Sequence, residues 1–129
     1  MSNAILDAYN AVYQYMQNQG LQVYDILPGK NAPYPFYVVD DTQFIPSSIK
    51  NAAGGRVVIT ISGFADINQR GRLWSDLGKI EQLNSLENNA LYVARHENNS
   101  IVVNEDDSVP NSSILHGVLI LHFDYIQTI

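Results

Sequence analysis

Three histidines are the side chains best suited to binding a metal or to moving protons near neutral pH. They are His96, His116 and His122. His116 and His122 fall on the same face of one long alternating apolar pattern, six residues apart, which corresponds to about 20 Å along a strand. A metal ion holds its ligands at about 2 Å, so these two residues cannot share one ion. We interpret all three as ordinary sheet residues and expect neither a metal site nor a cofactor.

The carboxylates form two short clusters, Asp40–Asp41 and Glu105–Asp107. Catalytic carboxylates converge from different elements into one pocket. Neighbours in a strand point to opposite faces, so Asp40 and Asp41 are not expected to line one site. The second cluster lacks the alternating acidic positions and the closing glutamate of a calcium loop. The favoured interpretation of Glu105, Asp106 and Asp107 is a solvated turn in an acidic polar loop over residues 105–113.

Other motifs of enzyme chemistry are missing from the sequence. Gly54-Gly55-Arg56 is not followed by the Lys-Ser or Lys-Thr pair of a phosphate-binding loop. The chain has no cysteine, which excludes a thiolate zinc site and a cysteine nucleophile. Its net charge is -6 and its seven Lys and Arg residues are scattered, whereas recognition of duplex nucleic acid needs a basic stripe. We therefore expect a protein that is not an enzyme and does not bind nucleic acid specifically.

Apolar periodicity predicts a chain of helices and strands with more strands than helices. The predicted helices cover residues 3–19 and 68–86, and the predicted strands cover residues 22–27, 34–41, 56–64, 90–96, 100–103 and 114–127. Residues 90–96 and 100–103 are expected to form a hairpin that turns at Asn98–Asn99. The predicted fold class is α+β, with two helices packed on one face of a mainly antiparallel mixed sheet. At this length we expect one domain, residues 1–129.

Two sets of apolar residues exceed what one core requires. Phe44, Ile45 and Ile49 lie in the stretch 42–55, which has no regular pattern. Exposed apolar side chains there would mark a partner surface, and the alternative is that they fold back onto the sheet. Val118 and Ile120 lie on the outer face of the last strand, where a sheet covered on one side should be polar. A neighbouring subunit would cover them, and the alternative is cover by a loop.

The order of these elements resembles a known family. A short strand at Val23–Ile26 precedes residues 32–39, Ala-Pro-Tyr-Pro-Phe-Tyr-Val-Val, which are the most specific part of the match. The strand 57–62, the helix 70–83 and a late strand that begins His116-Gly117 follow in order. Over nearly its whole length the chain resembles the tail completion, or tail terminator, proteins of long-tailed bacteriophages and prophages.

This resemblance implies a structural protein without catalytic residues, located in the virion at the junction of tail and head. It implies assembly in the cytoplasm of the bacterial host. Family members form a ring, typically hexameric, on the head-proximal end of the tail tube. They stop tube polymerisation and join the tail to the filled head. The implied partners are further copies of the chain, the major tail tube protein and a head-completion protein, with DNA passing through the ring and no membrane contact.

Two other functions stay open at this point. One is a head-closure or minor tail or capsid component of the phage neck, and the other is a small-ligand-binding α+β domain. If the ring is correct, we expect Glu105, Asp106 and Asp107 to face its lumen or rim. Like charges repel, so carboxylates there would keep DNA phosphates from the wall.

Overall fold

Helix α1, Ala4–Asn18, confirms the first predicted helix. Ala8, Val12 and Met16 recur every four residues on one face and are fully buried. Gly20 follows the helix with φ +80°, a left-handed conformation that glycine adopts without steric cost. The N–H of Leu21 bonds to the carbonyl of Met16 at 3.2 Å and closes this end of the helix.

A computed structural model describes residues 4–29, 32–46, 54–87, 91–106 and 114–126. Its strands are β1 Val23–Tyr24, β2 Phe36–Pro46, β3 Gly54–Asp66, β4 Ser85–Glu87, β5 Leu91–Ala94, β6 Ser100–Asp106 and β7 Ile114–Ile126. They form one sheet in the order β1-β2-β3-β7-β5-β4, and β6 also pairs with β7. The β1–β2 pair is parallel, and the other described pairs are antiparallel. Strands 34–41, 56–64 and 114–127 were thus predicted in the right places, with shifted ends.

Helix α2, Arg70–Glu81, packs on the same sheet face as α1. Its buried Leu73 and Leu77 lie over the two glycines of the central strands, Gly63 and Gly117. A Cβ at Gly117 would lie 2.7 Å from Cδ1 of Leu77, so glycine allows the helix to approach the sheet closely. Two helices on one face of a mainly antiparallel mixed sheet confirm the predicted α+β class. Neither described helix is long and apolar enough to cross a membrane.

The second predicted helix, 68–86, is too long at its C-terminal end. Residues 67–69 form a 3-10 turn, and α2 ends at Glu81. The N–H of Leu83 bonds to the carbonyl of Ile80, which tightens the last turn. The carbonyl of Asn84 then accepts the N–H of Ala94 at 2.7 Å and begins the pairing of β4 with β5. Tertiary pairing therefore converts the predicted last turn of the helix into a strand.

The predicted hairpin between residues 90–96 and 100–103 is wrong. β5 and β6 both pair with β7, one after the other along the same edge, with Ala94 opposite Phe123 and Ser100 opposite Ile120. Between them, His96–Asn98 forms a 3-10 turn. The turn stays attached to β7 because the side-chain oxygen of Asn99 accepts the backbone N–H of His122 at 2.8 Å. The turn is therefore a bulge in one long strand, and β6 takes β7 as its antiparallel partner.

The stretch 42–55 is more regular than predicted. β2 continues to Pro46 and β3 begins at Gly54, while residues 47–53 lie outside the described residues. β2 carries a bulge between Val39 and Thr42, which lie opposite Ile61 and Ile59. This bulge interrupts the alternating pattern, and the strand was therefore predicted to end at residue 41. One extra residue shifts the alternation of all later side chains.

Candidate assembly surfaces

The sheet face opposite the helices, called the outer face below, is half apolar as predicted. On β7 the core-facing side chains are buried, while Val118 and Ile120 are partly exposed on the outer face. Val118 lies opposite Val102 of β6, whose side chain is 51% exposed. We call Val102, Val118 and Ile120 the apolar strip. A half-exposed apolar strip of this kind is typical of a protein contact.

The strip reaches a free edge of the sheet. Within the described part of the chain, β6 has a strand on one side only, which is β7. Ser100–Asn104 carry no proline, bulge or charged side chain to block pairing with another chain. The β2 edge is protected against such pairing, because Asp40 and Asp41 form a bulge in it and Pro46 ends the strand. β6 is therefore the less protected of these two edges.

Phe44 and Ile45, from the set predicted as a second interface, lie on opposite sides of β2. Phe44 packs against the core, with its ring 5.8 Å from that of Tyr125 in an edge-to-face contact. The fold-back alternative therefore applies to Phe44. Ile45 is 44% exposed on the other side of β2, and Ile49 lies outside the described residues. Of this set, Ile45 is the described residue that can meet a partner.

The acidic loop begins later than predicted. Glu105 and Asp106 are the last residues of β6, opposite Leu115 and Ile114 of β7, and Asp107 lies outside the described residues. Glu105 also has a cation nearby, since its Oε1 lies 3.7 Å from Nη2 of Arg70. Both side chains are about half exposed, so this pair stabilises the fold by only about 0–1 kcal/mol. The prediction that these acids face a lumen is not tested by the fold.

A row of rings crosses the outer face and includes one of the histidines. Phe36 and Phe64 stack with centroids 5.1 Å apart, and Phe64 stacks on the His116 imidazole at 4.5 Å. Tyr34 extends the row beyond Phe36 at 5.5 Å. Phe36, Phe64 and His116 lie opposite one another on β2, β3 and β7. The imidazole of His116 is thus a packing element of this row, as the interpretation of ordinary sheet histidines requires.

His96 does not lie in a strand, and its ring contacts the last residue of α2 and the segment before β4 through hydrogen bonds. Its Nδ1 lies 2.7 Å from Oε2 of Glu81, and its Nε2 lies 2.9 Å from Oδ1 of Asn84. Asn99 donates to the same Glu81 oxygen at 2.8 Å. Burial raises the pKa of Glu81, but these hydrogen bonds and the charge of His96 outweigh it and hold that pKa below its usual value. The network fixes the bulge between β5 and β6 to the end of α2.

The third histidine lies at the opposite end of the outer face from His116. His122 is flanked by Arg56 and Arg95, which both reach Asp124 on β7, Arg95 at 3.1 Å and Arg56 at 3.9 Å. Burial lowers the pKa of His122, and the charges of Arg56 and Arg95 lower it further. Nδ1 of His122 and Nε2 of His116 are buried without a hydrogen-bond partner in the described structure. His116 and His122 are not brought together.

The bulge in β2 lies at the paired aspartates. Both residues lie opposite Thr60, because Val39 pairs with Ile61 and Thr42 with Ile59. The hydroxyl of Ser62 donates to Oδ2 of Asp40 at 2.5 Å on the outer face. No group of three or more ligating side chains among the described residues is placed to hold a metal ion.

Two features were missed from the sequence. Ile26 and Leu27 follow β1 and are 74% and 66% exposed, at the opposite side of the sheet from β6. They were missed because the strand predicted over residues 22–27 included them, whereas β1 ends at Tyr24. The second feature is an open groove between α1 and β4. The sequence did not indicate it, because residues 85 and 86 were assigned to the predicted helix 68–86.

Comparison with known proteins gives a likeness in fold. No model of a protein family matches the chain, and no curated protein matches it. Among solved structures, the fold matches a chain of the "Virion of native gene transfer agent (GTA) particle" with a TM-score of 0.70. The match covers 97% of this chain and 99% of that chain, at 15% sequence identity. At this identity the likeness shows the fold, which the two chains share over nearly their full length.

Proposed function

We propose that this chain is a structural protein of a phage-like particle, and that it forms a ring which closes the head-proximal end of the tail tube. The observation that carries the proposal is the fold shared with a virion chain over nearly the whole length of both. The motif that resembles tail terminators supports it, because residues 32–39 lead into and begin β2, directly beside β1.

A ring needs two different surfaces on each copy, because each copy contacts its two neighbours in a head-to-tail manner. The fold places exposed apolar side chains towards both edges of the sheet. The apolar strip and the β6 edge lie on one side, and Ile26 and Leu27 lie on the other. In the proposed ring these two surfaces meet between neighbouring copies. A ring of this kind needs no catalytic group and no cofactor.

The C-terminal end of β6 lies toward the opening of the proposed ring. Glu105 and Asp106 end this strand, and Asp107 follows in the sequence. Repeated around a ring, these carboxylates discourage phosphate binding within about 8 Å, the screening length at physiological salt. DNA then passes the opening without being held by it.

Tube capping tests the proposed function. Purified tail tubes are grown with and without the chain, and their lengths are measured by negative-stain electron microscopy. We expect the chain to stop growth and to appear as a ring at one end of the tube. Light scattering of the dilute chain alone should show a monomer or a weak association. A chain that binds heads but leaves tube growth unchanged is a head-closure protein and overturns the proposal.

The apolar strip is tested with two matched variants. Val102→Lys places a charge on the strip, and Leu6→Lys places the same charge on α1, where the side chain is 53% exposed against 51% for Val102. We expect both variants to fold, and only Val102→Lys to lose ring formation on tubes. Equal capping by the two variants would show that the strip is not an interface.

A further inference from the structure

The outward side of β6 combines open backbone groups with exposed apolar side chains. Among the described residues, β7 is the one strand that pairs with β6, so alternate residues of β6 point their N–H and C=O groups away from the sheet. Val102 is 51% exposed on the outer face. On the helix side, Ile101 and Val103 pack against the core but are only partly buried. Both sides of this edge can therefore bury more apolar surface against an added strand.

Trp74 lies on the side of α2 that faces β6. Arg70, at the start of this helix, contacts Glu105 of β6, and Glu81, at its end, accepts a hydrogen bond from Asn99, directly before β6. Residues three or four apart lie on one side of a helix, so the spacing 70, 74, 77 and 81 places Trp74 between these two contacts. Its side chain is 43% exposed and therefore stands beside the β6 edge, only partly covered by its own subunit.

The sequence of β6 is complementary to a second copy of itself. Val102 is the central residue of the uncharged stretch 100–104, Ser-Ile-Val-Val-Asn. When two such strands pair antiparallel about this residue, Val102 faces its counterpart and Ile101 faces Val103. Ser100 then faces Asn104, so polar side chains meet polar side chains. A two-fold contact requires a match of this kind, because the same patch serves both copies.

The acidic end of β6 is also compatible with this register. Glu105 and Asp106 end the strand, and like charges directly opposite each other destabilise a strand pair. In the antiparallel pair centred on Val102, Glu105 lies opposite residue 99 of the second copy, six residues from that copy's own Glu105. Six residues correspond to about 20 Å, which exceeds the screening length of about 8 Å at physiological salt. The two acidic ends therefore do not oppose the pairing.

We propose that the free chain forms a two-fold dimer in which the β6 strands of two copies pair antiparallel about Val102. The pairing satisfies the outward backbone groups of both strands, and Trp74 of each copy covers the joined strands on the helix side. The dimer occupies the edge that the proposed ring uses, so the two assemblies exclude each other. This last step rests on the proposed function: the dimer keeps copies from closing a ring away from the tube.

Single-cysteine variants report the pairing register, because the chain has no cysteine of its own. Opposite residues of an antiparallel pair have Cα atoms about 4.5–5.5 Å apart, which a disulfide can span. We expect Val102→Cys at high concentration to form a disulfide-linked dimer on mild oxidation. Ser100→Cys, on the same face of the same strand, is the matched control. Its two copies lie about 14 Å apart in this register and should link at least fivefold less, whereas Ser100→Cys mixed with Asn104→Cys should link.

The unmodified chain gives an independent measurement. Trp74 is its single tryptophan, and burial of the indole in the dimer should shift its emission to shorter wavelength as the protein concentration rises. Val102→Lys places two lysines opposite each other and should abolish this shift. Leu6→Lys, which adds the same charge on α1, should keep it.

Tube capping tests whether the dimer and the ring exclude each other. Oxidised Val102→Cys should fail to stop tube growth, and the same sample should stop it after reduction. Ser100→Cys should stop growth under both conditions, which controls for the oxidant.

Two results would overturn the dimer: equal linking of Val102→Cys and Ser100→Cys, and an emission of Trp74 that does not depend on concentration. Capping by the disulfide-linked dimer would overturn its exclusion of the ring. All of these leave the proposed function standing, because capping by the unmodified chain is measured separately. Unchanged tube growth with the unmodified chain would instead overturn the proposed function, while a dimer observed without tubes would stand.

Discussion

The hydroxyl of Tyr37 on β2 donates a hydrogen bond to Oδ2 of Asp76 on α2 at 2.5 Å. Both side chains are buried, and Asp76 is 6% exposed. The ring of Tyr37 reaches the helix across β3, where Gly63 leaves the space, since a Cβ there would lie 2.8 Å from Cε1 of Tyr37. Arg72 lies 3.7 Å from the same carboxylate oxygen. The bond thus ties α2 to the sheet beneath it.

Tyr37→Phe should lower the free energy of unfolding by about 1–3 kcal/mol, because the buried carboxylate of Asp76 loses its hydroxyl donor. Tyr24→Phe is the matched control. Its hydroxyl bonds to the side chain of Gln22 near the surface, and its removal should change stability by less than about 0.5 kcal/mol. Urea unfolding measures both. Equal effects of the two substitutions would contradict the assigned role of the buried bond.

The same pair predicts how stability depends on alkaline pH. Burial, the hydrogen bond to Asp76 and its charge raise the pKa of Tyr37 well above its usual 10. Because the folded-state pKa is the higher one, the stabilisation is fully present below pH 10 and is lost as the pH rises above it. We expect the free energy of unfolding to fall more steeply above pH 10 in the wild type than in Tyr37→Phe. Parallel curves would show that Tyr37 does not titrate with unfolding.

Close packing of α2 predicts opposite effects of alanine at two glycines. Gly117→Ala places a Cβ 2.7 Å from Leu77 in the core, and overpacking of this kind costs about 1–3 kcal/mol. Gly78→Ala on α2 itself meets nothing within 4 Å and should stabilise the helix by about 0.5–1 kcal/mol. Thermal unfolding gives both values. Two changes of the same sign would be inconsistent with this packing.

The histidines predict a modest pH effect and no loss of assembly. Replacing His96, His116 and His122 together with Gln should cost about 1–2 kcal/mol and leave ring formation intact. Burial lowers the pKa of His122 from 6.5, and the charges of Arg56 and Arg95 lower it further. The contribution of His122 to the free energy of unfolding is therefore fully present above pH 6.5 and declines as the pH falls through the folded-state pKa. His122→Gln alone should therefore reduce the loss of stability just below pH 6.5.

Glu81→Gln is the control for this pH effect. The hydrogen bonds from His96 and Asn99 and the charge of His96 outweigh burial and lower the pKa of Glu81 from 4.5. Its contribution is thus present above pH 4.5 and lost as the pH falls below that value. Unfolding followed by circular dichroism from pH 7 to pH 3 should separate the two windows. An unchanged His122→Gln profile near pH 6 would contradict the assignment.

Reversal of the acidic end of β6 tests the proposed lumen. Glu105, Asp106 and Asp107 changed together to Lys should leave tail length unchanged and slow DNA ejection, because phosphates then bind near the opening. The pair of Glu105 with Arg70 is about half exposed and contributes only about 0–1 kcal/mol, so its loss should leave the chain folded. Ejection is timed by fluorescence of a DNA dye.

A matched triple reversal controls for total charge. Asp25, Asp41 and Glu97 are exposed and lie away from the end of β6. Their change to Lys should leave ejection normal if position, not net charge, decides the effect. Normal ejection by the Glu105–Asp107 variant, or slow ejection by both variants, would show that these acidic residues do not face the lumen.

The sequence by itself determined the first helix, the central strands, the fold class and the half-apolar outer face. These features depend on local periodicity, and periodicity is visible without knowing the fold. Val118 and Ile120 were found in this way, because period-two alternation assigns every residue of a long strand to one face. The same holds for His116 and His122, whose separation follows from strand geometry.

Only the tertiary structure decided where the strands pair and which side chains meet. The bulge at Asp40–Asp41, the joining of β5 and β6 along β7 and the conversion of residues 85–87 into β4 all depend on partners distant in sequence. The contact of Glu105 with Arg70 is of the same kind. A side chain or backbone segment that satisfies its hydrogen bonds with a remote element leaves no periodic signal, because its conformation is selected by that element and not by its own neighbours.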